Sequence, residues 1–160
     1  METSLIGKAI GFGPRECGFE SHVSNIYYNN YAYVVNHYNL LASKKNTFAQ
    51  IIYTRQNIQF LRKLNAMGVI NNFIIHKSKK IKNTRLITFS VSMYKNEPFY
   101  SKIRLVSKPS KSYNLTLKHL SVLKTKLHKT ELLLSTNVGF LTLHEALLKN
   151  VSGKLFCILS

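Results

Sequence analysis

The sequence has no aspartate and no tryptophan, and it contains only three prolines, seven glycines and two cysteines. Its six acidic residues are all glutamates, against 23 lysines and arginines. Because hydrolytic and metal-dependent sites usually need carboxylates, this shortage argues against those classes of enzyme. Cys17 and Cys157 lie far apart without a CxxC spacing, which argues against a disulfide framework or a structural zinc site.

Long apolar runs are also missing, since no stretch reaches the roughly 20 residues that span a bilayer. Residues 1–22 lack the apolar core of a secretory signal and the arginine-rich character of a mitochondrial presequence. No phosphate-binding glycine loop, HExxH motif or nucleophile with a suitably spaced base is present. We therefore predict no enzymatic activity, no catalytic or metal-binding residue, no cofactor, no membrane partner and no small-molecule substrate.

Positive charge dominates what is present, with a formal net charge of +17. Such a chain repels itself, and phosphate backbones are the commonest partners that neutralise it. The alternatives are a membrane-surface protein or a basic solvated face, but no segment sets lysines opposite a wide apolar face. Hydrophobic residues make up 45% of the chain, which is enough for a folded core. The composition therefore predicts a folded protein that binds nucleic acid.

Periodicity predicts an α-β-α-β-β order in the first half of the chain. Apolar residues and tyrosines recur at helical steps up to residue 41, with Ser24 as N-cap, and a second helix ends at Gly68. We expect these tyrosines to pack in the core. Alternation over residues 86–94 predicts a strand with one buried and one wet face. The remaining predictions are strands at 48–53 and 69–75 and a basic loop at 77–82.

A turn at residues 95–98 is predicted to separate this half from the next, because it ends in a proline. Thr142 and Glu145 form a T-x-x-E capping box that opens a short helix ending near Asn150. The other elements predicted here are extended segments at 100–106 and 113–117, a helix around 120–127, and strands at 131–135 and 155–159.

These elements predict an α+β fold class with two small subdomains. The first is the α-β-α-β-β unit, and the second combines an antiparallel sheet with short helices. The predicted boundaries are an N-terminal extension at residues 1–22, an N-terminal α/β subdomain at 23–96 and a C-terminal RNA-binding subdomain at 97–160.

Four short motifs stand in order in the second half. They are Val-Ser-Lys-Pro at 106–109, Ser-Thr-Asn-Val-Gly at 135–139, Leu-Thr-Leu-His-Glu-Ala at 141–146 and Ser-Gly-Lys at 152–154. Over residues 24–160 the chain resembles the family of small-subunit ribosomal protein eight in its bacterial and organellar form, most strongly after residue 99. That family carries V-S-K-P, an S-T-S-K-G turn, an M-T-D-x-E-A helix start and a final G-G-E strand.

Several residues depart from the family's pattern, and three of these departures bear on RNA binding. Asn137 stands in place of serine and can still hydrogen-bond base edges or sugars. Val138 stands in place of lysine and cannot attract a phosphate. Lys154 stands in place of glutamate, which removes a hydrogen-bond acceptor and makes a phosphate contact the expected role there.

The resemblance and the charge together predict an RNA-binding site. Without the resemblance, the side chains of the turn at 135–139 could simply form hydrogen bonds with their own backbone. The basic loop at 77–82 could likewise be an ordinary solvated loop. The residues predicted to bind RNA are Ser107, Lys108, Tyr113, Ser135, Thr136, Asn137, Gly139, Lys154, Lys77, Lys79, Lys80 and Lys82.

The resemblance implies a structural constituent of the small ribosomal subunit. Such a protein binds the central domain of small-subunit rRNA, contacts neighbouring small-subunit proteins, and supports assembly and translation. Abundant Asn, Lys, Ile, Tyr and Phe fit an A+T-rich gene, so we expect a mitochondrial location, with another organelle or a bacterial cytoplasm as alternatives. A non-ribosomal RNA-binding maturation or regulatory factor and a small RNA-processing enzyme remain as alternative functions.

Overall fold

A computed structural model of the protein describes residues 19–45, 48–77, 84–108, 110–127 and 129–160. The α+β class and the α-β-α-β-β order of the first half are both confirmed. The elements of the described residues are α1 (Phe19–Lys44), β1 (Phe48–Ile52), α2 (Arg55–Ala66), β2 (Ile70–Lys77), β3 (Arg85–Val91), β4 (Met93–Tyr94), β5 (Glu97–Pro98), β6 (Ile103–Leu105), β7 (Asn114–Leu115), α3 (Leu117–Lys126), β8 (Glu131–Thr136), β9 (Gly139–Thr142), α4 (Leu143–Leu148) and β10 (Gly153–Leu159).

The first half forms a three-stranded antiparallel sheet in the order β1-β3-β2. Ile87, Phe89 and Val91 alternate along the central strand and are buried, which confirms the predicted inward face. Helix α2 begins at a cap in which the Thr54 side chain accepts from the Asn57 amide at 3.1 Å. It stops before Gly68, whose φ of +73° suits glycine and confirms the predicted stop.

The second half forms a five-stranded sheet with β6-β10-β8-β9 in a row and β7 paired to the start of β10. Leu132, Leu133 and Leu134 of β8, a strand predicted at residues 131–135, are buried. Leu134 packs with Leu120 of α3 and other residues in a small cluster of its own. The capping box of Thr142 and Glu145 at α4 is also confirmed, with both of its hydrogen bonds formed.

Helix α1 belongs to both halves of the molecule. Its buried Val34 and Tyr38 lie in one apolar cluster that includes residues of both large sheets, and each side chain fully buried in it stabilises the fold by about 1.5–3 kcal/mol. The Tyr38 hydroxyl donates to the Tyr100 carbonyl at 2.8 Å. Asn39 donates to the Ile103 carbonyl at 2.9 Å and accepts from the Ile103 amide at 2.8 Å. Shared packing and these bonds fix the second half against α1, while the subdomain boundaries stay predictions.

The structure differs from the local predictions in four places. Helix α1 begins at Phe19, so Ser24 lies inside it and is not its N-cap; no proline or glycine between them stops the helix. Lys77 is the last residue of β2, paired with Arg85, and not part of a loop; residues 78–83 and 1–18 lie outside the described ranges. Strand β9 between the turn and α4 was not predicted, because four residues are too few to show a period.

The fourth difference concerns the strand predicted at residues 86–94, which is two strands. Strand β3 ends at Val91, and β4 pairs with β5 in a separate two-stranded ribbon. The break lies at Ser92, whose amide donates to the Val69 carbonyl at 3.1 Å and whose carbonyl accepts from the Phe99 amide at 3.2 Å. Within the described ranges, no helix has both the length and the apolar character needed to cross a bilayer.

Candidate nucleic-acid interface

The predicted turn is the tip of the β8–β9 hairpin. Thr136 and Gly139 form its last strand pair, and exposed Asn137 and Val138 lie between them. The Thr136 hydroxyl donates to the Gly139 carbonyl at 2.9 Å and accepts from the Val138 amide at 3.2 Å. Gly139 has a φ of +114°, which a residue with a side chain rarely adopts. Thr136 and Gly139 therefore shape the turn, and Asn137 is presented at its tip.

Gly153 supports this turn from the neighbouring strand. A Cβ atom at this position would lie 2.7 Å from Cγ2 of Thr136 and 2.9 Å from the Ser135 carbonyl oxygen. Only glycine therefore allows β10 to approach β8 so closely without a shift. Gly153 was not among the residues predicted to form the site, although its position in the Ser-Gly-Lys motif could have indicated it.

Ser135 and Lys154 are brought together by strand register. Lys154 pairs with Ser135 on one side and with Asn114 of β7 on the other, and Ser135 also pairs with Phe140 of β9. Directly opposed residues share one face of a sheet. Asn114, Lys154, Ser135 and Phe140 therefore form a row across four strands, with an exposed lysine within it.

Ser107 is buried and organises the loop that precedes β7. Its hydroxyl donates to the Leu155 carbonyl and accepts from the Tyr113 amide at 3.2 Å, so both partners are internal. Its side chain is 7% exposed, which assigns it a positioning role rather than a direct contact.

The same loop carries exposed cations and an aromatic ring. Lys108 and Lys111 exchange backbone hydrogen bonds of 2.9 and 3.1 Å, which closes the loop. Tyr113 is 42% exposed, and the Lys111 Nζ atom lies 5.4 Å from its ring centroid. Because the Tyr113 carbonyl accepts from the Leu155 amide at 2.8 Å, the loop is fixed beside the strand that carries Lys154.

An open groove of about 580 Å³ lies between helix α2 and the hairpin. Gln59, Arg62 and Lys63 line it from the helix, and Ser135 and Phe140 line it from the strands. The sequence prediction missed the helical residues. They are far from the turn in sequence, and the only available signal was the polar face of α2, which does not reveal what it faces.

An aromatic cluster fixes β9 against the helices beneath this groove. Tyr31 of α1 makes edge contacts with Phe140 and Phe156, with ring centroids 5.8 and 5.0 Å apart. Phe60 of α2 lies 5.7 Å from Phe140. Burial raises the pKa of the Tyr31 hydroxyl.

An ion pair also connects α2 with α4. The Glu145 carboxylate accepts from Lys63 Nζ, and it accepts from the Thr142 amide at 2.9 Å as part of the capping box. Burial alone raises the pKa of Glu145, but the hydrogen bonds from Lys63 and Thr142 and the charge of Lys63 outweigh it and lower this pKa. The pair holds helix α2 close to the element that follows the hairpin.

The predicted lysines of the first half lie apart from this surface. Lys77 is exposed at the end of β2, in the other large sheet. Lys79, Lys80 and Lys82 lie outside the described residues. The structure therefore brings together the predicted residues of the second half and leaves the role of the basic segment a prediction.

Comparison with known families agrees with this arrangement. The family model described as Ribosomal protein S8 matches residues 34–159, from the middle of α1 to the end of β10. No protein of curated function matches the chain. The family match spans most of the chain, including both large sheets, the hairpin and the strand that supports it. The chain therefore belongs to the ribosomal protein S8 family.

Proposed function

We propose that this protein is a structural constituent of the mitochondrial small ribosomal subunit, where it binds the central domain of small-subunit rRNA and supports assembly and translation. Membership of the ribosomal protein S8 family supports the general part of this proposal, because proteins of the family bind small-subunit rRNA and neighbouring ribosomal proteins. The family is one of structural ribosomal proteins and not of enzymes. The row of Asn114, Lys154 and Ser135 beside the hairpin tip is the single observation that carries the RNA-binding surface.

The surface combines shape with charge in the way that folded RNA requires. Irregular RNA is recognised through sugar and base edges that are displayed away from a regular helix. The Asn137 side chain offers both a hydrogen-bond donor and an acceptor at the tip of the hairpin. Lys154 offers a cation on β10, the strand that pairs with β8 of the hairpin. Ser107, Thr136 and Gly139 act on the RNA indirectly, because they hold the exposed groups in place.

Phosphate contacts supply most of the attraction in this proposal. The chain carries 23 lysines and arginines against six acids, and each phosphate neutralised releases counterions. Lys77, Lys79, Lys80 and Lys82 act as phosphate anchors. Replacing the last three with glutamine should weaken cognate and unrelated RNA nearly equally and make the dependence of affinity on salt shallower. A loss confined to cognate RNA, measured by filter binding at several salt concentrations, would contradict this electrostatic role.

Sedimentation tests the ribosomal assignment. A short affinity tag makes the protein detectable in gradient fractions. In a sucrose gradient of mitochondrial lysate, the tagged protein should sediment with small-subunit rRNA and remain there after subunits are separated by magnesium chelation. Sedimentation with free RNA instead would support a non-ribosomal maturation or regulatory factor.

A further inference from the structure

Two large aromatic side chains stand out in solvent on the β4–β5 ribbon, away from the hairpin turn. Tyr94 is 69% exposed and Phe99 is 63% exposed. Neither belongs to the site predicted from the sequence. Single exposed apolar side chains are common on protein surfaces, but neighbouring exposed rings form a patch of the kind that marks interaction sites.

Strand register places both rings on one face of the ribbon. Tyr94 pairs with Glu97 and Met93 pairs with Pro98, and the Phe99 amide bonds to the Ser92 carbonyl. Phe99 is therefore the diagonal neighbour of Tyr94, at a separation of roughly 7 Å that long aromatic side chains can bridge. Met93 lies on the opposite face and packs against the main apolar cluster. The core is on one side of the ribbon, and the two rings project from the other.

The backbone that carries these rings is firmly held. Lys95 and Asn96 have φ values of 51° and 66°, as in the tight type I′ turns that favour twisted hairpins. Beyond Phe99, the Tyr100 carbonyl accepts from the buried Tyr38 hydroxyl at 2.8 Å, and the Phe99 and Tyr100 rings meet edge to face at 5.2 Å. A ligand would therefore meet an ordered surface and lose little of its binding energy in fixing it.

The positive charge of the whole chain, formally +17, favours an anionic ligand. At the rings themselves, the Lys95 Nζ atom lies 5.4 Å from the Tyr94 ring centroid. Glu97 opposite Tyr94 is the acidic group on this face. Aromatic rings interleaved with lysines are the combination with which proteins hold unpaired nucleotides: the rings stack on bases and the cations meet the backbone.

We propose that Tyr94, Lys95 and Phe99, called here the aromatic ribbon, form a second RNA contact that binds unpaired bases by stacking. The proposal rests on the proposed function only in taking the RNA to be small-subunit rRNA. Its ligand chemistry is any single-stranded stretch with accessible base faces, and it does not depend on the hairpin turn or on Lys154.

Photochemical cross-linking locates the contact directly. The full chain is mixed with a short single-stranded oligoribonucleotide of mixed sequence in which uridine is replaced by 5-iodouridine, and cross-linked peptides are identified by mass spectrometry. We expect cross-links at Tyr94 or Phe99. Cross-links confined to other segments, with none on the aromatic ribbon, would overturn the proposal.

Affinity measurements test whether the two rings hold RNA by stacking on its bases. In fluorescence anisotropy with the same oligoribonucleotide, Tyr94→Ala with Phe99→Ala should weaken binding about tenfold or more. Tyr94→Leu with Phe99→Leu should weaken it similarly, since leucine has no flat π face, whereas Tyr94→Phe with Phe99→Tyr should retain it. Phe48→Ala is the matched control, because Phe48 is 67% exposed on another strand and should be silent.

The outcomes distinguish this proposal from the ribosomal one. Full affinity in the leucine variant would overturn the stacking proposal, and an equal loss in the Phe48→Ala variant would mean that the aromatic ribbon makes no specific contact. If the wild-type protein sediments with the small subunit but the alanine variant binds the oligoribonucleotide normally, the aromatic ribbon fails while the proposed function stands. If the wild-type protein neither sediments with the small subunit nor binds the oligoribonucleotide, the proposed function itself fails.

Discussion

Replacing Gly153 with alanine tests how the last strand shapes the hairpin turn. The added Cβ would lie 2.7 Å from Thr136 Cγ2 and 2.9 Å from the Ser135 carbonyl oxygen. Neither neighbour can move easily. Threonine is β-branched, and the Thr136 hydroxyl donates to the Gly139 carbonyl and accepts from the Val138 amide. The Ser135 carbonyl belongs to a strand held between β10 and β9.

The size of the effect follows from two opposing contributions. Forcing a methyl group into a packed site costs about 1–3 kcal/mol, and two contacts below 3.0 Å with stiff neighbours favour the upper part of that range. Alanine also restricts the unfolded chain, which stabilises by about 0.4–1 kcal/mol. The net loss should be about 1–2 kcal/mol, and each kcal/mol should lower Tm by about 2–4 °C in a chain of this size.

The assay combines thermal unfolding with RNA binding. Gly153→Ala should lower both Tm and the affinity for the cognate rRNA fragment, because the turn is displaced. Gly68→Ala is the matched control: φ is +73° with nothing within 4 Å of the new Cβ, so it should destabilise through backbone strain and leave the affinity of the folded protein unchanged.

A second variant tests the cause. Thr136→Ser removes the crowded Cγ2 but keeps the hydroxyl that bonds Gly139 and Val138. Added to Gly153→Ala, it should recover part of the lost stability, so the two changes should be non-additive. Wild-type stability in the single variant, or strict additivity in the double one, would refute the steric explanation.

Three further substitutions test the tip of the hairpin, Lys154 and the ion pair between α2 and α4. Asn137→Ala should weaken RNA binding by about 1 kcal/mol in a filter assay with little change in Tm, since the side chain is exposed; unchanged affinity would remove the tip from the interface. Lys154→Glu should weaken binding most at low ionic strength, where repulsion is least screened, and a gain in affinity would contradict a phosphate contact. Because the pKa of Glu145 is lowered, its ionised form contributes stability above its ordinary pKa of 4.5 that is lost as pH falls through the folded value. Glu145→Gln should therefore flatten the acid limb of the stability profile measured by urea unfolding, and an unchanged limb would show that the ion pair with Lys63 is not the cause.

Local patterns were sufficient for elements whose signals are contained within them. Helix α2 has a capping threonine, an apolar stripe and a terminal glycine, and β3 has strict alternation, so both could be predicted. The end of β3 could not be predicted, because the apolar alternation continues into Met93 while the hydrogen-bond partners change at Ser92. Those partners, Val69 and Phe99, lie outside the strand, and one of them is distant in sequence.

Prediction of the candidate site from sequence was limited in the same way, because its residues come from separate segments of the chain. The motifs identified Ser135 and Lys154 separately, but their direct pairing depends on the register of β10 against β8. The groove between α2 and the hairpin could not be found from sequence, because Arg62 and the turn line it together only after Tyr31, Phe60 and Phe140 have packed. Sequence motifs therefore identified the residues, and tertiary packing determines which of them share a surface.

The motif residues divide by what their side chains do. Ser107, Thr136 and Gly153 act inside the protein, through internal hydrogen bonds or close approach, so a change in any of them would alter the shape of the turn. Asn137 and Lys154, which depart from the family's pattern, are exposed and have no such task in the fold. In the proposed interface, substitutions at Asn137 and Lys154 should therefore change RNA affinity with little change in Tm, whereas substitutions at Ser107, Thr136 and Gly153 should change both.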